Sequence, residues 1–139
     1  MEKDKTPEVA KKTKEKIPGT SPIPEVKFHM WLEKDGGVFF GCGRYELLLK
    51  IEELGSLKLA SENLGLSYRG AWGKIKRTEE IIGQKLIYKK NNKEGYMLTD
   101  FGRGLMTEFG EFYEDVFAYA SKKSTKNLNR FFETVENQE

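Results

Sequence analysis

Between Gly55 and Ile82 the chain reads GSLKLASENLGLSYRGAWGKIKRTEEII, and this stretch constrains the fold more than any other. Leu57, Ala60 and Leu64 fall at helical spacing, with Ser56 ahead of them where an N-cap belongs. Gly65 follows, a residue that accepts the left-handed backbone of a tight turn. Ser67 then caps a further helix, in which Tyr68, Ala71, Trp72, Ile75, Thr78 or Glu79, and Ile82 recur at inward positions. Arg69, Gly70, Gly73, Lys74, Lys76 and Arg77 are left outward. Two short helices across a tight turn, the second basic on its outer side, form the sequence pattern of a helix-turn-helix, which sets one helix in the DNA major groove.

The flanks extend this pattern. Leu47, Leu48, Ile51 and Leu54 make one stripe of a preceding helix that begins near Arg44 and stops at Gly55. Ahead of it, Val26, Phe28, Met30 and Leu32 alternate with Lys27, His29, Trp31 and Glu33, the period of a half-buried strand. Asp35-Gly36-Gly37 supplies a tight hairpin turn. Trp31 falls on the face opposite the aliphatic residues, to be covered by a partner or by the chain's own C-terminal helix. After Gly83, Leu86 to Tyr88 and Tyr96 to Leu98 read as strands joined by the polar KKNNKEG, a second hairpin with the shape of a wing. Thr99 caps a fourth helix with a broad stripe of Phe101, Leu105, Met106, Phe109, Phe112, Tyr113, Val116 and Phe117. Such width predicts packing on the core at its start and on a second copy further along, through Phe109, Phe112, Tyr113, Val116 and Phe117.

The expected fold is α+β, mainly α: a winged helix-turn-helix with an extra N-terminal β-hairpin and a long C-terminal dimerisation helix. Residues 1–24 read as a disordered basic tail, 25–120 as the winged-helix domain and 121–139 as a polar extension, frayed or forming a short helix.

Charge points the same way. The net charge is only +2, but from Leu66 to Lys93 eight basic residues face only Glu79 and Glu80, a local +6. The rest holds 16 basic and 20 acidic residues, a net of −4. A basic patch on a slightly acidic chain is an electrostatic footprint for a polyanion, although a charge run by itself also fits a solvated face. The apolar runs are too short to span a bilayer, no signal peptide is visible at the N-terminus, and a lone Cys42 fits a reducing cytoplasm. One His and one Cys cannot build the usual zinc site, and no Ser/His/Asp or Cys/His set is visible, so no enzyme is expected.

Within the pattern, Ser56, Ala60, Leu64, Gly65 and Ile75 would set the angle between the two helices. Residues at the start of the second helix reach deepest into a groove, which nominates Ser67, Tyr68, Arg69 and Gly70. Arg69 is the candidate for bidentate guanine readout, Lys74 for a base or a phosphate, and Arg77 for a phosphate. Lys89, Lys90 and Lys93 of the wing would meet phosphate or minor groove. Tyr68 and Trp72 suit either the core or the groove. Gly70 and Gly73 weaken a helix, and close approach to DNA would account for them.

The stretch GRYELLLKIEELGSLKLASENLGLSYRGAWGKIKRTEEIIGQKLIYKK, with GYMLTDFGRGL after the turn, resembles the N-terminal DNA-binding domain of the ModE-type molybdate-dependent transcriptional regulators. That domain is a winged helix similar to the LysR-type one. The marks are Gly43-Arg44, Gly55-Ser56, Leu64 to Tyr68, Ala71-Trp72, LIYKK and Leu98 to Gly102, over about residues 25–118. The resemblance implies a bacterial or archaeal repressor or activator that binds double-stranded DNA as a homodimer. Here the wing is the short NNKEG, where the family's is often long and glycine-rich. Only about 20 residues follow the winged helix, too few for the family's β-rich molybdate-binding domain. Molybdate or tungstate sensing is therefore not expected in this chain and no cofactor is predicted, which leaves a separate effector protein, or a different role, open. The alternative is a winged helix that serves only dimerisation or docking, although such a version has no need of the basic outward face.

Overall fold

The computed structural model describes residues 24–90 and 95–137. The expected tail, apart from Pro24, and the tip of the second hairpin with Lys93 lie outside the described residues. Strands β1 (Trp31–Lys34) and β2 (Gly37–Gly41) lead into α1 (Cys42–Leu54), α2 (Leu57–Asn63) and α3 (Tyr68–Ile82). Strands β3 (Ile87–Lys89) and β4 (Tyr96–Leu98) follow, then α4 (Asp100–Lys123). A π-helical stretch, Ser124–Asn129, carries α4 with helical dihedrals into α5 (Arg130–Glu136).

Both hairpins are antiparallel. In the first, Asp35 and Gly36 have φ of 53° and 80°, the paired left-handed residues of a tight turn whose twist suits the strands. The strand expected from Val26 begins only at Trp31. The reason is its partner: β2 ends at Gly41, opposite Trp31, and α1 starts at the next residue. The alternation survives in burial, with Val26, Phe28, Met30 and Leu32 half-buried and their neighbours exposed. Phe28 stacks on Tyr113 of α4 with ring centroids 5.2 Å apart. A bulge between Leu32 and Glu33 leaves Phe39 without a cross-strand partner, and its carbonyl accepts the buried Thr78 hydroxyl of α3. This ties the first hairpin to the third helix. The second hairpin is joined to the helical core by a bridge between Ser56 and Gly95 and by the Tyr96 N–H donating to the Gly55 carbonyl at 3.1 Å.

Leu47, Leu48, Ile51, Leu57, Ala60, Ala71 and Ile75 are fully buried, so the three helices close on one core with Phe40, Leu86, Leu98 and Phe109. Leu54, expected in that stripe, is 40% exposed: α1 ends there and the chain turns away at Gly55, whose φ is 68°. The N-caps stand where the sequence puts them. Ser56 accepts from the Leu59 N–H, Ser67 from the Gly70 N–H and Thr99 from the Gly102 N–H.

Helix α4 is fixed at its start. The Thr99 N–H donates to the Leu86 carbonyl at 2.9 Å and the Thr99 hydroxyl to the Lys85 carbonyl at 2.6 Å. Arg103 grips Glu52 of α1 with two parallel hydrogen bonds of 3.0 and 3.1 Å. Two residues nominated for a dimer contact belong instead to this chain's own core. Phe109 meets Phe40 edge-on at 5.2 Å and Tyr113 lies under Phe28, both nearly fully buried. Phe117 is half-buried, 6.0 Å from Phe28. What α4 leaves outward is Phe101 at its start and, further along, Phe112, 50% exposed, and Tyr119, with Val116 half-buried between the last two. Among the described residues no helix is long and apolar enough to cross a membrane.

Candidate nucleic-acid interface

Helix α3 is held from three directions. Its N-terminus is set by Gly65, φ 72°, which reverses the chain after α2, and by the Ser67 cap. Gly70 has a local reason that the sequence does not show: a Cβ there would crowd the Ser67 hydroxyl at 3.0 Å, so its absence clears the cap. Gly73 faces open space. Ala71 and Ile75 anchor the inward face, and Leu64 packs half-buried beside them.

Toward the wing, Glu79 does the anchoring. Its buried carboxylate accepts the N–H groups of Leu86 at 2.7 Å and Ile87 at 3.4 Å, where β3 begins. Lys76 Nζ lies 3.1 Å and Lys85 Nζ 3.8 Å from its other oxygen. Burial pushes the Glu79 pKa up, but the Leu86 N–H, the Lys76 ammonium and the Ile87 N–H outweigh it and hold the carboxyl below its ordinary value. Lys76, read as outward, is thus half-buried and engaged, and its Nζ also sits 4.6 Å from the Trp72 ring centroid. Trp72 continues to Tyr96 of β4, 6.0 Å away, and Lys89 Nζ lies 5.7 Å from the Tyr96 ring. Trp72 is therefore a packing residue between α3 and the wing.

What remains outward on α3 is Tyr68, Arg69, Gly70, Gly73, Lys74, Arg77 and, in its last turn, Glu80, all exposed. Tyr68, which periodicity also allowed inside, is 48% exposed because it stands one residue past the cap, ahead of the first buried position at Ala71. Among the described residues, no carboxylate lies within ion-pair distance of Arg69, Lys74 or Arg77. Lys89 and Lys90 are likewise exposed on the wing, with the Lys90 N–H closing the hairpin on the Gly95 carbonyl. One cation was missed from the sequence as a member of this surface. Arg44, in the first turn of α1, donates from Nε to the Lys74 carbonyl at 3.2 Å. No local signal marks it, since its contact is 30 positions away.

Among the described residues no group of three or more His, Cys, Asp or Glu is placed to hold a metal ion. Burial pushes the Cys42 thiol up, away from reactive thiolate.

Solved structures offer distant likenesses. One is ArgP from Mycobacterium tuberculosis, 22% identical over 55% of this chain and 29% of that one, with a TM-score of 0.43. Another is the full-length LTTR LysG from Corynebacterium glutamicum, 20% identical over 61% of this chain and 28% of that one, with a TM-score of 0.45. The chain thus spans less than a third of either protein's length. No curated protein matches it significantly. Residues 43–103, from the first turn of α1 to the start of α4, match the bacterial regulatory helix-turn-helix proteins of the lysR family. Over that segment, the chain is similar to the helix-turn-helix that this family of regulators carries.

Proposed function

We propose that the chain is a sequence-specific transcriptional regulator that reads double-stranded DNA with α3 and grips the flanking backbone with the wing. The observation that carries this is the outward face of α3, where Arg69, Lys74 and Arg77 stand exposed without an acidic partner among the described residues. Solvent-facing charges normally alternate in sign or pair; here three unpaired cations stand against one exposed acid, Glu80, and on a helix pinned to both hairpins they present a net positive field to a polyanion. Ser67, Tyr68, Arg69 and Gly70 enter the groove first, Arg69 reading a base, while Lys74, Arg77, Lys89, Lys90 and Lys93 meet base edge or phosphate. The hairpin ahead of α1 and the Leu64-to-Tyr68 and Leu98-to-Gly102 sequences support a ModE-like variety, acting in a prokaryotic cytoplasm. A homodimer joined through Phe112, Val116 and Tyr119 of α4 would present two copies of α3 to a two-fold operator.

The test is in vitro selection from random duplex DNA with the purified chain, followed by salt titration on the selected site. An enriched motif and an affinity that falls steeply with salt are expected. Arg69→Ala is expected to relax one base position by about 1–3 kcal/mol of discrimination. No enrichment, with affinity flat between low and moderate salt, would assign the fold to protein docking instead.

A further inference from the structure

The cations around α3 divide by flank. On the wing flank Lys76 is engaged with Glu79 and Trp72. On the opposite flank, facing the β1–β2 hairpin, two guanidiniums from two helices, Arg44 and Arg77, lie close enough to act on each other. Arg44 of α1 reaches the Lys74 carbonyl through Nε alone, and no other hydrogen bond of its guanidinium is seen among the described residues. A guanidinium has five N–H donors in a planar fork, so four remain available. Arg77 stands one turn beyond Lys74, and its Nη2 lies so close to Gly37 that a Cβ there would come within 3.2 Å of it. The acids of the hairpin do not neutralise this group: Glu33 accepts from Trp31 Nε1 at 2.8 Å and Asp35 pairs with Lys34 at 3.3 Å. Burial and the nearby Arg77 charge both lower the Arg44 pKa, as expected where like charges gather without a counterion.

Two guanidiniums brought together without a carboxylate repel each other in the free protein. An oxyanion between them relieves that repulsion and fills planar forks shaped for bidentate oxygen ligands. We infer that Arg44, from outside the helix-turn-helix, joins Arg77 in a phosphate clamp that holds the DNA backbone on the hairpin side of α3, opposite the wing lysines. This rests on α3 reading DNA. It makes the grip two-sided, with the wing on one strand border of the groove and the α1 start with the β1–β2 hairpin on the other.

The experiment measures binding of the full chain, wild type and Arg44→Gln, to the duplex enriched by selection with the wild type, across a salt series. One lost phosphate contact lowers the slope of log affinity against log salt by about 0.9. The expected result is that decrease, an affinity loss of about 5- to 10-fold at moderate salt, and an unchanged selected motif. Arg44→Lys removes the Nε bond to Lys74 but keeps the charge. It is expected to keep the wild-type slope, whereas a merely structural Arg44 would lower the melting temperature in both variants and leave both slopes alone. Should Arg44→Gln fail to fold, Arg44→Met, which keeps the aliphatic stem without the charge, takes its place: a slope lowered by about 0.9 supports the clamp and a wild-type slope overturns it. An unchanged slope in a folded Arg44→Gln, while the wild type stays salt-dependent, overturns the clamp and leaves the α3 reading intact. A wild type that binds duplex without salt dependence, or not at all, overturns both. Inorganic phosphate that stabilises wild type but not Arg44→Gln, with no change in DNA slope, overturns the DNA assignment in favour of a free oxyanion.

Discussion

Replacing Gly102 by alanine tests whether the start of α4 is locked against β3, the contact that fixes the wing. An ideal Cβ on Gly102 would lie 2.3 Å from the Leu86 carbonyl oxygen and 3.1 Å from its carbon. Carbon contacts settle near ~3.5 Å, so the start of α4 must retreat by roughly 1 Å. The obstacle is backbone and cannot rotate away. Leu86 is held on both sides, its N–H by Glu79 and its carbonyl by the Thr99 N–H. Retreat therefore strains the Thr99 contacts to Leu86 and Lys85, each worth about 0.5–1.5 kcal/mol, on top of an overpacking cost of about 1–3 kcal/mol. Against this stands the helix-propensity gain of alanine over glycine, about 1 kcal/mol. The net expectation is a loss of roughly 2–3 kcal/mol. Gly104 is the internal control: it lies in the same helix with open space around it, so Gly104→Ala keeps only the gain. Urea unfolding followed by circular dichroism should separate the two variants by about 3–4 kcal/mol, with Gly104→Ala above wild type. A Gly102→Ala protein as stable as Gly104→Ala would refute the close approach of α4 to β3 and the reasoning built on it.

Two other substitutions probe the anchors and the outer face. Glu79→Gln keeps an acceptor for Leu86 but loses the charge that strengthens four donors, at an expected cost of about 1–2 kcal/mol. Because the folded carboxyl titrates below its ordinary 4.5, its stabilisation is fully present above that value and is lost as pH falls beneath it. Urea midpoints between pH 6 and about 3 should therefore decline less steeply for Glu79→Gln, and parallel declines would remove Glu79 as a source of acid sensitivity. On α4, Phe112→Glu should leave the monomer fold intact, since that ring is half exposed, yet weaken the proposed dimer. With two copies of the ring lost at about 1.5 kcal/mol each, dissociation should rise roughly 100-fold, and a wild type already monomeric by sedimentation at micromolar concentration would end the dimer proposal.

Features that depend on neighbours in sequence were legible before the structure. Ser56, Ser67 and Thr99 cap because a hydroxyl placed three residues before a free N–H does so wherever it stands. Gly55 and Gly65, and Asp35 with Gly36, reverse the chain because their φ is positive. Features that depend on distant segments were not. The stripe on α4 announced apolar partners, but periodicity cannot say which chain supplies them, and Phe40 and Phe28 cover Phe109 and Tyr113 from within. Periodicity set Tyr68 beside Ile75, yet the core does not reach past Ala71. Spacing allowed Thr78 or Glu79 an inward place, but not the two backbone donors that β3 brings to the Glu79 carboxylate. Arg44 reads as the plain start of a helix until α3 lies across it.

These distant contacts explain why α3 is a helix at all. Its 15 residues include Gly70 and Gly73, each costing about 1 kcal/mol against alanine, and helices of that length are marginal in isolation. Its stability therefore comes from one side: Ala71 and Ile75 in the core, Thr78 bonded to the first hairpin and Glu79 to the second. Packing then asks nothing of the outer side, which is free to hold charges that repel one another. Exposed cations without partners contribute little to stability and cost little to keep in water. The anchoring that makes a weak helix persist is the same anchoring that fixes Arg69, Lys74 and Arg77 between the two hairpins. A ligand binding there meets a surface already ordered, and the ordering entropy that a flexible basic segment would surrender on binding has been met in folding.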